Sequence, residues 1–375
     1  MNLVTAAVEN ELHLLSGPDR GGNAGGDRIG DVDGAVKRAQ SFPRLRYMGS
    51  KYRLMPHLAK VFDSLGGDTA VDAFSGSGVV SYLLKSQGFQ VTSNDFLHFP
   101  SVITRAAVEN SGTILNDEIV HKIIGEPADD RDFIRSKFGG LYFTPEDLAF
   151  LDSAWSHIDL LEGYQQDIAI AALVLSAARK QPRGVFSFTD STRYADGRRD
   201  LQMTLREHFV HRVADYNSIV FSNGVQSTAV QGDVFDLKDR TPDIAYLDPP
   251  YAPPRDDADY IKRYHFLEGL SVYWRGVNIM EETKTKKLEK RFTPFAYKRT
   301  IEDALRRTFG HFAGAGAIVL SYSSNAVPDA DRIMEIMGEV KSSVEVVSID
   351  HKYHFGTHAS ATRRDVSEYL FIGRD

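Results

Sequence analysis

The stretch "VDAFSGSGVVSYLL", residues 71–84, decides how the chain is read. A short apolar run carrying Asp72 meets Gly76 and Gly78, and an apolar helical pattern follows at once. Strand, glycine turn and helix in that order let a ligand lie against backbone N–H groups at a helix N-terminus. About 20 residues further on, the next apolar run ends at Asp95, placed to accept hydrogen bonds from ribose hydroxyls. The pair fits a dinucleotide or a simpler nucleoside, and a tight turn with a capping Asp would read the same way. Two details argue against a nicotinamide dinucleotide. Asp72 stands where dehydrogenase fingerprints place an apolar residue, and a third acidic strand end follows at Asp233. Carboxylates at 72, 95 and 233 suit a nucleoside with a cationic ammonium or sulfonium arm better than a pyrophosphate.

Outward from this turn, seven short apolar runs read as strands: 69–74, 89–95, 227–233, 243–248, 317–323, 344–350 and 368–373. Most are separated by enough chain for a crossover helix, which implies a mostly parallel α/β sheet. The last two are close enough in sequence to make an antiparallel edge. Residues 110–225 exceed any crossover, so an inserted, mainly helical subdomain is expected at 111–225, with "DIAIAALVLSAARK" as one helix. The catalytic body is then 43–110 together with 226–375. Residues 1–42, with "SGPDRGGNAGGDRIGDVDG", read as a mobile tail.

Composition narrows the classes. The chain has 375 residues, 42% hydrophobic and 25% charged, as in a soluble globular protein, and no apolar run of membrane-spanning length. A cytoplasmic location without a membrane partner is expected. The absence of cysteine excludes disulfides, thiolate zinc sites and cysteine nucleophiles. Net charge is -7, yet two basic patches stand out. Arg179–Arg212 holds eight Lys/Arg against four Asp/Glu, and Lys284–Arg299 holds seven against one, among Phe292, Phe295 and Tyr297. Either is a solvated face or a polyanion contact, and the interleaved aromatics suit the second. His351, His354 and His358 read as edge-strand or loop packing, so no metal is expected.

The fourth run continues as "IAYLDPPYAPP", residues 244–254. Two prolines end ladder pairing and turn the chain out of the sheet. Asp248 and the Pro249 carbonyl then offer adjacent acceptors, Pro250 fixes the turn, and Tyr251 presents a ring. That set suits an exocyclic amino group on a planar base. Cytosine C5 chemistry is excluded, because it needs a cysteine nucleophile.

With these motifs in place, residues 42–373 resemble the Dam-like, alpha-group DNA adenine methyltransferases, which transfer a methyl group from S-adenosylmethionine to adenine N6. The resemblance rests on "RYMGSK" (46–51), "DAFSGSG" (72–78), "SND" (93–95), "GDVF" (232–235), "LDPPY" (247–251) and "YH" (264–265), in family order. It implies a Rossmann-like seven-stranded methyltransferase sheet, mostly parallel with an antiparallel edge, and an inserted target-recognition region. It also implies cofactor contacts from Tyr47, Gly49, Lys51, Asp72, Phe74, Gly76, Gly78, Asp95, Asp233 and Val234. Catalysis would fall to Asp248, Pro249, Pro250 and Tyr251 on an adenine flipped out of double-stranded DNA. Candidate DNA contacts are Arg183, Arg193, Arg198, Arg199, Tyr264, His265, Lys286 and Lys287. A restriction endonuclease sharing the target site is an expected partner. N4-cytosine or RNA N-methylation and a catalytically silent DNA-binding protein stay open as alternatives.

Overall fold

The computed structural model describes residues 31–182, 184–186, 197–251, 260–351 and 366–375. Seven strands form one sheet: β1 (Thr69–Asp72), β2 (Gln90–Asp95), β3 (Thr228–Gln231), β4 (Ile244–Leu247), β5 (Ala317–Ser323), β6 (Ser343–His351) and β7 (Val366–Arg374). Their order is β3-β2-β1-β4-β5-β7-β6. The first five run parallel, while β7 pairs antiparallel with both β5 and β6. This is the mostly parallel sheet with an antiparallel edge expected from the apolar runs, each of which supplies one strand, and the Rossmann-like arrangement that the resemblance implies.

The helices around the sheet are α1 (Val32–Gln40), α2 (Met55–Leu65), α3 (Val79–Ser86), α4 (His98–Thr104), α5 (Asp117–Ile124), α6 (Phe133–Phe138), α7 (Pro145–Ile158), α8 (Gly163–Arg179), α9 (Arg199–Gln202), α10 (Leu205–Ile219), α11 (Tyr260–Ser271), α12 (Ile301–His311) and α13 (Ala330–Gly338). Strand side chains alternate between two apolar cores, as a pleated strand with both faces covered requires. Ala70, Ile244, Tyr246 and Val319 belong to the larger core; Val71, Ala245, Leu247 and Ile318 face α12 and α13 in the other. Chain order reverses between β1 and β4, so β1, β2 and β4 open a crevice at their carboxyl ends.

Two sequence expectations need correction. First, the tail does not extend to residue 42. Asp31 caps α1 by accepting from the Asp33 N–H, and Ala35, Val36, Ala39 and Phe42 are buried. The Gly-rich composition of the preceding stretch masked an apolar stripe at helical spacing. The Phe42 ring lies 5.0 Å from Tyr82 and fills the space where a Gly78 side chain would project. Phe42→Ala is expected to lower unfolding free energy by roughly 3–5 kcal/mol, measured by urea denaturation. A change under about 1 kcal/mol would return this segment to the tail.

Second, the described part of the insertion is helical as expected, but its core is not separate. Leu148, Leu151, Trp155, Leu173 and Phe209 share one apolar cluster with Phe62, Val91 and Val102 of the catalytic body. The cause is α8, which is buried on nearly every side from Asp167 to Ala178 and packs on α4, α10 and α11. A helix apolar all round must sit inside, and here it joins the two segments into one body. Among the described residues no helix is long and apolar enough to cross a membrane.

Candidate active site

One cleft collects most of the singled-out residues. Tyr47, Gly49, Lys51, Asp72, Phe74, Gly76, Asp95, Asp233, Val234, Asp248 and Pro250 all line it, at the carboxyl ends of β1, β2 and β4. Its volume is about 970 Å³, part of it open to solvent, which is the size class of small-molecule sites.

At one end, Gly76 and Gly78 turn the chain from β1 into α3 with φ of +48° and +82°. The ring of Tyr47 lies over Gly76, where an added Cβ would meet Tyr47 Cε1 at 2.9 Å. Gly78 serves the turn and the packing against Phe42 without lining the cleft. Asp95 holds the turn shut: its carboxylate accepts from the N–H of Gly76 at 2.8 Å and of Leu97 at 2.9 Å. Burial pushes Asp95 up to about 6 despite those donors. Asp72 is fully buried and accepts from Ser81 Oγ at 2.6 Å; burial raises its carboxyl to about 7. On the opposite wall, Phe74 meets Phe295 edge-on at 5.0 Å, with Val234 buried beside them.

The fit to a nucleoside with a cationic arm is testable on these atoms. Asp72 Oδ1, Ser75 Oγ and Asn94 Oδ1 are buried cleft-wall acceptors without hydrogen-bond partners among the described residues. Unpaired buried acceptors cost stability unless a ligand meets them. Acceptors at one end and an apolar wall at the other match a sulfonium nucleoside.

At the far end lies Asp248. Its Oδ1 is 2.8 Å from Lys51 Nζ and 2.9 Å from Tyr251 Oη. Lys51 Nζ also donates to the Gly49 carbonyl at 2.8 Å and to Tyr251 Oη at 2.7 Å, and stands 3.2 Å from Glu368 Oε1. Tyr251 turns its hydroxyl inward and sets its half-buried ring edge-on to Tyr322 at 5.0 Å. Pro249 is buried behind the wall. Burial raises the Asp248 carboxyl to about 6, against the pull of Lys51.

The sequence reading missed Glu368. It begins the apolar run of β7 and carries no motif, so only the fold reveals that it faces Lys51. Lys51 lines the cleft and also joins the carboxylate cluster, where its side chain is almost wholly enclosed.

Tyr264 and His265 are corrected as DNA contacts. They lie inside α11, not in a loop, and both are buried. Tyr264 stacks on Tyr47 at 4.9 Å, and its hydroxyl accepts from the Met48 N–H at 2.8 Å, fastening the 46–48 turn. His265 Nε2 is bonded to the Phe186 carbonyl at 2.8 Å. Arg198 and Arg199 are exposed away from the cleft wall, with Arg198 donating to the Pro182 carbonyl at 3.1 Å. Lys286 Nζ pairs with Glu281 at 3.1 Å, and neither it nor Lys287 lines the cleft. Arg183, Arg193, His354 and His358 lie outside the described residues. Among the described residues no cluster with metal-ligand geometry occurs.

Residues 47–293 match the model of the D12 class N6 adenine-specific DNA methyltransferases. The chain belongs to this family. Adenine-specific DNA methylation is therefore its reaction, and the family as a whole uses S-adenosylmethionine. The methyltransferase is 24% identical over 345 residues to the type II methyltransferase M2.HphI of Haemophilus parahaemolyticus, covering 88% of this chain and 97% of the relative. It is 25% identical to the type II methyltransferase M.FokI of Planomicrobium okeanokoites over 87% of this chain but 52% of that longer protein. A third relative, the type II methyltransferase M.CviAII of Paramecium bursaria Chlorella virus 1, is 22% identical over 88% of this chain and 98% of its own. No solved structure matches the chain significantly.

Proposed function

We propose that this methyltransferase binds S-adenosylmethionine in the glycine-turn end of the cleft and presents the amino group of a flipped adenine to Asp248. The observation that carries this reading is the single cleft joining Gly76 and Asp95 to Asp248. When bound, S-adenosylmethionine supplies an electrophilic methyl group on its sulfonium. Asp95 accepts from the ribose hydroxyls with the lone pairs left beside its backbone donors. The acceptors around Asp72 face the cationic arm, while Phe74, Val234 and Phe295 hold the planar base. Asp248 and the Pro249 carbonyl accept the two N6 hydrogens, and Tyr251, whose ring stands edge-on to Tyr322 and not over the cleft, orients the Asp248 carboxylate through its hydroxyl. Holding the amine this way directs its lone pair out of the ring plane, so alignment and electrostatics do most of the work. The methyl group would pass from the bound S-adenosylmethionine to N6, while Asp248 and the Pro249 carbonyl hold the amine in place and one of its protons leaves to solvent. Titration of the purified enzyme with S-adenosylmethionine, without DNA, tests the cofactor assignment. Saturable one-to-one binding is expected; its absence removes the assignment.

We place DNA across the mouth of this cleft. Phe292 is 67% exposed and stacks on exposed Tyr297 with ring centroids 5.7 Å apart and planes 11° from parallel. Exposed Lys290, Arg291, Lys298 and Arg299 surround the pair, and Arg291 and Thr293 of the same segment line the cleft. Apolar rings among cations are the chemistry that holds nucleic acid. Replacing both Phe292 and Tyr297 with Ala should weaken DNA binding by about tenfold or more. Affinity for S-adenosylmethionine should not change. Unaltered DNA affinity in a gel-shift or anisotropy titration would move recognition to the 111–225 insertion, with Arg198 and Arg199. The type II relatives favour a role in protecting DNA from a restriction endonuclease with the same target site.

A further inference from the structure

The cluster at Asp248 holds more negative charge than its ion pair requires. One ammonium, Lys51, faces two carboxylates, Asp248 at 2.8 Å and Glu368 at 3.2 Å, for a net charge of 1 − 2 = −1 when all are ionised. The Glu368 side chain is completely enclosed and comes from β7, beyond the 47–293 segment that carries the family signature. Its Oε1 gathers Lys51, Tyr251 Oη at 2.7 Å and Ser321 Oγ at 2.8 Å, while its Oε2 has no partner among the described residues. A buried carboxylate is costly and persists only where its surroundings compensate it.

Tyr251 has a single phenolic hydrogen and two carboxylates within reach. Its contact with Glu368 is the shorter, 2.7 Å against 2.9 Å to Asp248. Donation to Glu368 removes one hydrogen from Asp248 Oδ1, which then meets Lys51 at 2.8 Å and has a lone pair left for a substrate hydrogen. Lys51 divides its attraction as well, standing 2.8 Å from Asp248 and 3.2 Å from Glu368. Were Lys51 and Asp248 alone, the pair would be neutral, and both donors would crowd onto the oxygen meant for N6.

We propose that Glu368 is a positioning residue for methyl transfer: it takes a share of the Lys51 ammonium and the Tyr251 hydroxyl, so that Asp248 keeps a strongly accepting, accessible oxygen for the adenine amine. The assignment rests on the role of Asp248 argued above. Burial opposes ionisation of Glu368, but Lys51, Tyr251 and Ser321 together hold its carboxyl below the usual glutamate range. It therefore stays charged, and its charge is one of the causes that raise Asp248. Other groups facing Asp248 are Tyr251, Tyr246 of β4, Asp72 at the end of β1 and Tyr47. Positive charge developing on N6 during transfer would be stabilised by the surplus negative charge of Asp248 and Glu368 over Lys51.

The test is Glu368→Gln, which keeps shape and removes charge. In the ligand-free enzyme carrying 13C-labelled aspartate, the carboxyl signal of Asp248, identified by its loss in Asp248→Asn, should titrate at lower pH in Glu368→Gln than in the wild type. Single-turnover methyl transfer should slow on the order of 10- to 100-fold. Affinities for S-adenosylmethionine and DNA should stay within about threefold. Glu368→Asp, which keeps the charge, should recover part of the rate. An unchanged Asp248 titration overturns the inference, as does a rate loss that Glu368→Asp does not relieve and that tracks lost thermal stability. Failure of the wild type to transfer methyl would count against the proposed function, while the carboxyl titration would still decide the role of Glu368.

Discussion

Asp248→Ala is expected to abolish methyl transfer, with a loss of at least about 1,000-fold, while affinity for S-adenosylmethionine stays within about threefold. The separation follows from position. Asp248 follows β4, whereas the acceptors and apolar wall assigned to the cofactor lie at the ends of β1 and β2, just after them and after β3, and at Phe295. Truncation removes the acceptor for N6 and leaves Glu368 as the carboxylate paired with Lys51. Collapse of cofactor affinity in the same variant would show that the two ends of the cleft are not separable. A pH dependence accompanies this role. Burial raises the Asp248 carboxyl to about 6, so protonation occupies it at a higher pH than for a solvated aspartate. The acid form donates where an acceptor is needed. The transfer rate should therefore rise with pH through about 6 and level off above it, measured under single turnover with saturating DNA.

The second large effect is predicted at Gly76. Gly76→Val should weaken S-adenosylmethionine binding by about 100-fold or more in an equilibrium titration, with the fold retained. Left-handed backbone costs an ordinary residue about 1–2 kcal/mol, and a β-branched one more. Here φ is +48°, and the new Cβ would lie 2.9 Å from the Tyr47 ring. Tyr47 cannot easily yield, because Tyr264 stacks on it and Phe99 and Tyr260 flank it. The turn would leave its binding shape instead, freeing the Gly76 N–H from Asp95. Every 1.4 kcal/mol so spent lowers affinity tenfold. A variant that binds within about threefold of wild type would mean that the turn does not shape the cofactor site.

The fold was legible because buried parallel strands announce themselves as apolar runs between glycine turns and acidic ends. Asp72, Asp95 and Asp248 mark three strand ends at one sheet edge, and β-strand topology alone brings them together. Glu368 was not legible for the opposite reason. A lone acid at the head of an apolar strand reads as an ordinary solvent-facing residue, and its partner Lys51 belongs to the other end of the chain. Tyr264 and His265 misled because the family order set them in the loop after the catalytic motif, whereas both lie in α11 and each spends its polar atom on an interior backbone group. The insertion could be recognised as helical from α8, but not as part of the main core, since periodicity shows that a helix is apolar all round without showing what surrounds it.

The most direct test of the central claim is transfer of labelled methyl from S-adenosylmethionine to unmethylated genomic DNA, followed by nucleoside analysis, with Asp248→Ala alongside. The account predicts label in N6-methyladenine for the wild type and none for the variant. Label on cytosine, or equal labelling by the variant, would contradict it.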